Sequence, residues 1–109
     1  MEIKQKKVSA SGIRFFIEQD GKEVARAYLY ILKNDLHQEQ FGFLEDVFVS
    51  ENLRGRGIGT ELLERVIKTT KEYKCYKMVA ASRYERSKVH DLYERLGFKD
   101  WGKEFRMNF

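Results

Sequence analysis

Val47-Phe48-Val49-Ser50-Glu51-Asn52-Leu53-Arg54-Gly55-Arg56-Gly57-Ile58-Gly59-Thr60 decides how this chain is read. A β-branched and aromatic run stops at polar turn formers, glycines follow at alternate positions, and an amphipathic apolar pattern begins at once. The order is strand, tight loop, helix N-terminus. Glycines let a backbone come close to a ligand, and the first helical turn offers N–H groups without intrahelical partners at the positive end of the helix dipole. The stretch therefore predicts an anion site with phosphate as its natural guest. A Walker A loop needs Gly-x-x-x-x-Gly-Lys-Ser/Thr, and no Lys follows these glycines. A dinucleotide fingerprint needs Gly-x-Gly-x-x-Gly, and Thr60 stands where its third glycine belongs.

Upstream of this stretch, Ile13 to Gln19 is rich in strand formers, Asp20-Gly21 is a strong hairpin signal, and a second strand is expected from Glu23 to Lys33. Asn34 to Gln40 reads as a polar turn and Phe41 to Val49 as a third strand. Downstream, a helix is expected from Gly57 to Tyr73, with Ile58, Leu62, Leu63, Val66 and Ile67 on its inner stripe. Lys77 to Ser82 reads as a buried strand and Ser87 to Leu96 as a short helix stopped by Gly97. Phe98 to Met107 is expected to close the sheet as a last strand. The pattern predicts an α/β (α+β) fold: a mixed, mostly antiparallel sheet with two packed helices.

The 109 residues suit one domain, 1–109, and a composition of 42% hydrophobic with 14% aromatic residues is ample for one core. The N-terminal basic residues precede no apolar run, and no segment approaches the ~18 apolar residues of a membrane span, so a cytoplasmic chain without a membrane partner is expected. Cys75, the lone cysteine, fits a reducing compartment and a place in the core beside Tyr76, Met78 and Val79. The net charge of +4 is spread and interleaved with acids, as in Lys68, Lys71, Glu72 and Lys74. That is a mixed solvated face rather than a nucleic-acid stripe. His37 and His90 lie far apart without acids at ligand spacing, so no metal is expected.

Arg54-x-x-Gly57-x-Gly59 resembles the acyl-CoA pyrophosphate loop of the GNAT N-acetyltransferase superfamily, usually Arg/Gln-x-x-Gly-x-Gly/Ala. A second stretch is independent of it: Arg86-Ser87-Lys88-Val89-His90-Asp91-Leu92-Tyr93-Glu94-Arg95-Leu96-Gly97-Phe98 resembles the superfamily's C-terminal signature, Asn-x-x-Ala-x-x-Leu-Tyr-x-x-x-Gly-Phe, with Arg86 for Asn and Val89 for Ala. Arg86 and His90 fit an Arg-x-x-Ala-His-x-Phe-Tyr form that also occurs there. Leu44-Glu45-Asp46-Val47-Phe48-Val49 is similar to a run in its small-amine acetyltransferases, including polyamine and amino-sugar enzymes. The resemblance covers Phe41 to Phe109 and implies acetyl-CoA as acyl donor. By it, Arg54, Gly55, Arg56, Gly57, Ile58, Gly59 and Thr60 hold the pyrophosphate, and backbone groups along Val47, Phe48 and Val49 hold the pantetheine arm. One departure matters. The superfamily usually places two helices of the acceptor wall between its first two strands, where this chain has the Asp20-Gly21 hairpin.

Acetyl transfer from a thioester to an amine needs a base for the amine proton, a polarised carbonyl and an acid for the departing thiolate. In a regular third strand Glu45 shares a face with Phe43 and Val47, while Asp46 points away with Leu44 and Phe48. Among such apolar neighbours Glu45 is the expected base, with a raised pKa. A bulge, common in the family's strand, would shift the faces by one and bring Asp46 into play. Tyr93 matches the family tyrosine that acts as general acid toward sulfur. The expected activity is N-acetylation of a primary amine of a small molecule. A protein or peptide amine, or an acetyl-CoA-binding regulator with little turnover, are the alternatives. A homodimer that completes the site is also expected, because Phe105, Met107 and Phe109 share one face of the last strand.

Overall fold

Asp20 and Gly21 both take left-handed backbone angles, φ 53° and 77°. A two-residue turn of that hand matches the twist of paired strands, and it joins β1 (Ser11–Gln19) to β2 (Lys22–Leu32) as an antiparallel hairpin. A computed structural model describes all of residues 1–109. β3 (Phe41–Val49) runs antiparallel to β2, and β4 (Met78–Ala80) runs parallel to β3, giving the sheet order β1-β2-β3-β4. The parallel pair needs a crossover, which α1 (Ile58–Glu72) supplies, and α2 (Ser87–Arg95) follows β4. The expected mixed sheet with two packed helices is what the chain forms.

Period-2 burial along β2 shows which face is inside: Ala25, Ala27, Leu29 and Ile31 are buried, while Arg26, Tyr28 and Tyr30 lie on the other side. Leu62, Leu63 and Val66 of α1 close the core over these residues and Leu44. Burying a Leu or Val contributes about 1.5–3 kcal/mol each. Where α1 crosses β3 the fit is tight, since a Cβ on Gly42 would stand 3.0 Å from both the Leu29 and Thr70 side chains. Thr70, the buried hydroxyl there, donates to the Val66 carbonyl at 2.8 Å. The opposite face of the sheet carries no helix. It presents Phe16, Arg26, Tyr28, Tyr30, Phe43, Glu45 and Phe48, with the Tyr28 and Tyr30 rings stacked at 6.3 Å.

Two expectations need correction. β4 is Met78–Ala80 rather than 77–82, because its partner positions end at Leu44. The segment 98–107 forms no strand, since alternation gives a chain the face of a strand but not an edge to pair with. No helix is long and apolar enough to cross a membrane.

Candidate active site

A β-bulge in β3 organises the site. Tyr28 stands opposite Glu45 and Arg26 opposite Phe48, so two residues of β3, Asp46 and Val47, face one residue of β2. Asp46 takes the strain, with φ at +50°. Beyond it the faces change over. Val47 and Val49 join Leu44 on the helix side and pack on the core, while Glu45 stays on the uncovered face beside Phe43 and Tyr28. The expectation that Glu45 shares a face with Val47 is therefore corrected, as is the apolar enclosure expected for Glu45, which is exposed.

The bulge also turns the backbone. Before it, the Gly42 N–H donates to Lys77 at 2.9 Å, toward β4; after it, the Ser50 N–H donates to Val24 at 2.8 Å, toward β2. Alternation then points the N–H groups of Val47 and Val49 away from β2. On that side β4 has already left, its pairing having ended at Leu44 and Ala80. A gap opens between the two parallel strands, and the donors of Val47 and Val49 line it.

The glycine loop closes one end of the gap. Leu53 is buried and anchors a short 3-10 turn, Glu51–Leu53. Arg54 then donates from Nε to the Val49 carbonyl at 3.0 Å, which ties the loop to the end of β3. So Arg54 braces this loop, a role the motif alone did not indicate. Gly55 and Gly57 both have φ 78°, a conformation that L side chains rarely adopt. Gly57 is the N-cap of α1 and supplies no side chain to cap it. The first regular helical bond is Glu61 N–H to Gly57 carbonyl, 3.0 Å, so the N–H groups of Ile58, Gly59 and Thr60 precede the ladder. Arg56 is exposed beside them. Open amides at a positive helix end, with two Arg side chains near, suit a diphosphate. Gly57→Val should weaken acetyl-CoA binding at least tenfold while leaving the circular dichroism spectrum unchanged, because a β-branched residue cannot hold this φ. Calorimetric titration measures it, and equal affinities would remove the loop from the donor site.

α2 is brought to the same place. A Cβ on Gly59 would stand 3.6 Å from both Leu92 of α2 and Val49 of β3, so three elements meet at the start of α1. Tyr93, next to Leu92, is held by the way its helix ends. Gly97, φ +105°, donates to Glu94 at 3.1 Å, and Phe98 donates to Tyr93 at 2.9 Å. This is a glycine-stopped helix end in which the residue after the glycine packs on the first of the pair. The Tyr93 and Phe98 rings lie 5.2 Å apart. Tyr-x-x-x-Gly-Phe is thus a local folding unit that fixes a tyrosine. Burial pushes the Tyr93 phenol above its ordinary value, and the nearby Arg86 guanidinium partly offsets that.

Other candidates resolve simply. Asp46 accepts two hydrogen bonds from Arg26, at 3.2 and 3.3 Å, and Arg26 also stacks over Phe48. Glu23 pairs with both Arg14 and Arg26. These contacts on the open face were not foreseen, although the Arg26, Tyr28, Tyr30 alternation in β2 marks that face. His90 Nε2 meets the Arg83 carbonyl at 2.8 Å and braces the β4–α2 connection. Cys75 is half-buried, and burial raises its thiol, which disfavours the thiolate. A depression of about 770 Å³ lined by residues such as Lys6, Lys33 and His37 includes none of the site residues.

The model of the Acetyltransferase (GNAT) family matches residues 2–98. This chain is a GNAT acetyltransferase-family protein. Among GNAT structures, a glucosamine-6-phosphate N-acetyltransferase from Arabidopsis thaliana is 28% identical with a TM-score of 0.80, over 90% of this chain and 67% of that one. A Trypanosoma brucei acetyltransferase is 27% identical with a TM-score of 0.79, over 92% and 69%. In sequence, the chain is 32% identical over 68 residues to a protein of Oryza sativa subsp. japonica named "Probable glucosamine 6-phosphate N-acetyltransferase 2". That match covers 62% of this chain and 39% of the rice protein.

Proposed function

We propose that this GNAT domain transfers an acetyl group from acetyl-CoA directly to a primary amine of a small molecule, without an acyl-enzyme intermediate. The observation that carries the reading is the gap beyond Leu44 and Ala80, with the Val47 and Val49 donors along it and the uncapped α1 N-terminus at its end. Val47, Phe48 and Val49 hold the pantetheine arm along β3. Arg54, Gly55, Arg56, Gly57, Ile58, Gly59 and Thr60 hold the diphosphate. Acetyl-CoA supplies a thioester carbonyl open to attack and a thiolate leaving group. As the amine nitrogen bonds to the carbonyl carbon and the carbon–sulfur bond breaks, Glu45 accepts the amine proton, directly or through water. Tyr93 delivers its phenolic proton to the sulfur. Asp46, engaged with Arg26, is less free to act as base.

The acceptor enters on the uncovered face. Tyr28, Tyr30, Phe43 and Phe48 offer ring surface there around Glu45, which suits a compact amine with an apolar or sugar-ring face. The names carried by the rice and Arabidopsis relatives support amino sugars as the first class to try. The absence of helices over this face favours a second reading, a binding module that retains the donor site with little turnover. One assay separates them. With acetyl-CoA and a panel of amino sugars, polyamines, aminoglycosides and peptide amines, saturable thiol release is expected with a small amine. Tight acetyl-CoA binding with no release across the panel would favour the binding module.

A further inference from the structure

Ser82 carries the one buried side-chain polar atom of the chain that has no hydrogen-bond partner. A hydroxyl sealed from water without a partner is destabilising, and natural chains hold few of them. The fold satisfies such groups elsewhere: Thr70, also buried, donates to the Val66 carbonyl at 2.8 Å. An alanine at 82 would have served packing as well, since the same face of the chain sets Met78 and Ala80 against the core. Ser82 therefore keeps a donor that the free chain does not use.

The place of that hydroxyl is set by the two strands that part. Burial alternates along this stretch, with Met78, Ala80 and Ser82 inward and Val79 and Ala81 exposed, so Ser82 stays on the helix side although the pairing has ended. Two residues beyond the last pair, Leu44 and Ala80, it comes level with the bulge, where Asp46 and Val47 share one position. Val47 lies on the same face, and its N–H lines the gap from the β3 side. Ser82 thus stands on the β4 side, across the gap from that donor. The chain is pinned just after it, because the Arg83 carbonyl receives the Arg86 N–H at 3.1 Å and meets His90 Nε2 at 2.8 Å. The glycine loop lies beyond Val49, so the Val47 end of the gap is the end where an acyl group would arrive.

We propose that the Ser82 hydroxyl donates to the thioester carbonyl oxygen of acetyl-CoA, bracketing it with the Val47 N–H from the other wall. The inference rests on the donor site described above and adds a residue that neither the glycine loop nor the tyrosine unit contains. As the amine nitrogen bonds to the carbonyl carbon, an electron pair of the carbon–oxygen bond moves onto oxygen. A donor already in place in a water-poor site stabilises that charge most when it is greatest. When the tetrahedral centre collapses the pair returns, the carbon–sulfur bond breaks, and Ser82 keeps its proton throughout. The reach asked of it is small, because a serine hydroxyl turns about one bond between staggered positions without movement of the backbone.

Ser82→Ala tests this without any acceptor. In the free state its melting temperature should equal or exceed that of the wild type, because the substitution removes an unpartnered group. A lower one means that the hydroxyl serves the fold, and it overturns the proposal. Acetyl-CoA isotope-labelled at the acyl carbonyl carbon gives the direct signal. In the infrared difference spectrum the thioester band of the wild-type complex should lie below that of the free compound and move back up in Ser82→Ala, as the carbonyl loses a donor. By calorimetry the variant should bind acetyl-CoA about 3- to 10-fold more weakly, the worth of one hydrogen bond. CoA, which lacks the acyl carbonyl, should bind both proteins equally. A band at one position in both proteins, or an equal loss for CoA and acetyl-CoA, overturns the role of Ser82 and leaves the donor site standing. A wild type that binds neither compound overturns both readings.

Discussion

Glu45→Gln is expected to cost roughly 10²-fold or more in turnover near neutral pH, the usual contribution of a positioned general base. The loss should shrink as pH rises, because an amine that arrives already neutral has no proton to give up before attack. Acetyl-CoA affinity should hardly change, since Glu45 lies on the open face beside Tyr28 and away from the loop at the α1 N-terminus. The informative comparison is with Asp46→Asn. Asp46 is tied to Arg26 and sits at the bulge, so its removal should lower stability more than it changes the pH profile. Steady-state rates of both variants from pH 6 to 10 decide the matter. A Glu45→Gln enzyme with full activity at neutral pH would transfer the role to Asp46 or to solvent.

Tyr93→Phe should behave differently. Turnover is expected to fall about 10²-fold throughout the moderate range, with no rescue at high pH, because the missing group is the acid. Binding of acetyl-CoA loses at most one hydroxyl contact, about 0.5–1.5 kcal/mol. The direction of the phenol's shift adds a signature. Burial raises it above the ordinary value of 10.0, with Arg86 pulling partly back, so the wild-type acid stays protonated across the neutral and mildly alkaline range. Its alkaline limb should fall above the position of a free tyrosine and be missing from the variant. The sign for stability runs the same way. A folded value above the unfolded one gives a contribution that is complete below the unfolded value and is lost as pH rises through the folded one. Tyr93→Phe should lack that alkaline loss, which thermal melts from pH 8 to 11 would show. Full activity in Tyr93→Phe would leave the ring as packing against Phe98.

The parts of the fold that were legible in the sequence are those set by local chemistry. Asp20-Gly21 demanded a tight hairpin, Phe41–Val49 read as a strand to the residue, and the apolar stripe of Ile58–Glu72 marked α1. Gly97 stopped α2 as expected. The misread features depend on distant partners. Whether Asp46 adopts a left-handed angle is settled by how β2 and Arg26 hold it, and nothing in Leu44-Glu45-Asp46-Val47 alone distinguishes a bulged strand from a straight one. That is why the faces of Glu45 and Val47 came out paired when they are opposed. The segment after Phe98 carries a strand's alternation, but alternation is silent about which edge will receive it. In the site, the glycine loop was readable from spacing, whereas the bracing of that loop by Arg54 through the Val49 carbonyl was not, since the same residue type also suits a phosphate contact.

The bulge makes β3 unusually sensitive to counting. Substitutions at Asp46 change one side chain, but dropping that single residue would take out the bend while leaving Phe48 opposite Arg26 and Val49 opposite Ala25. The Val47 and Val49 amides, still turned away from β2, would then lie on a straight strand able to go on pairing with the chain beyond β4, and the groove would zip shut. A more regular sheet would thus be a blind one. The count of residues at this point in the strand, more than which side chain stands there, is what keeps the donor groove open.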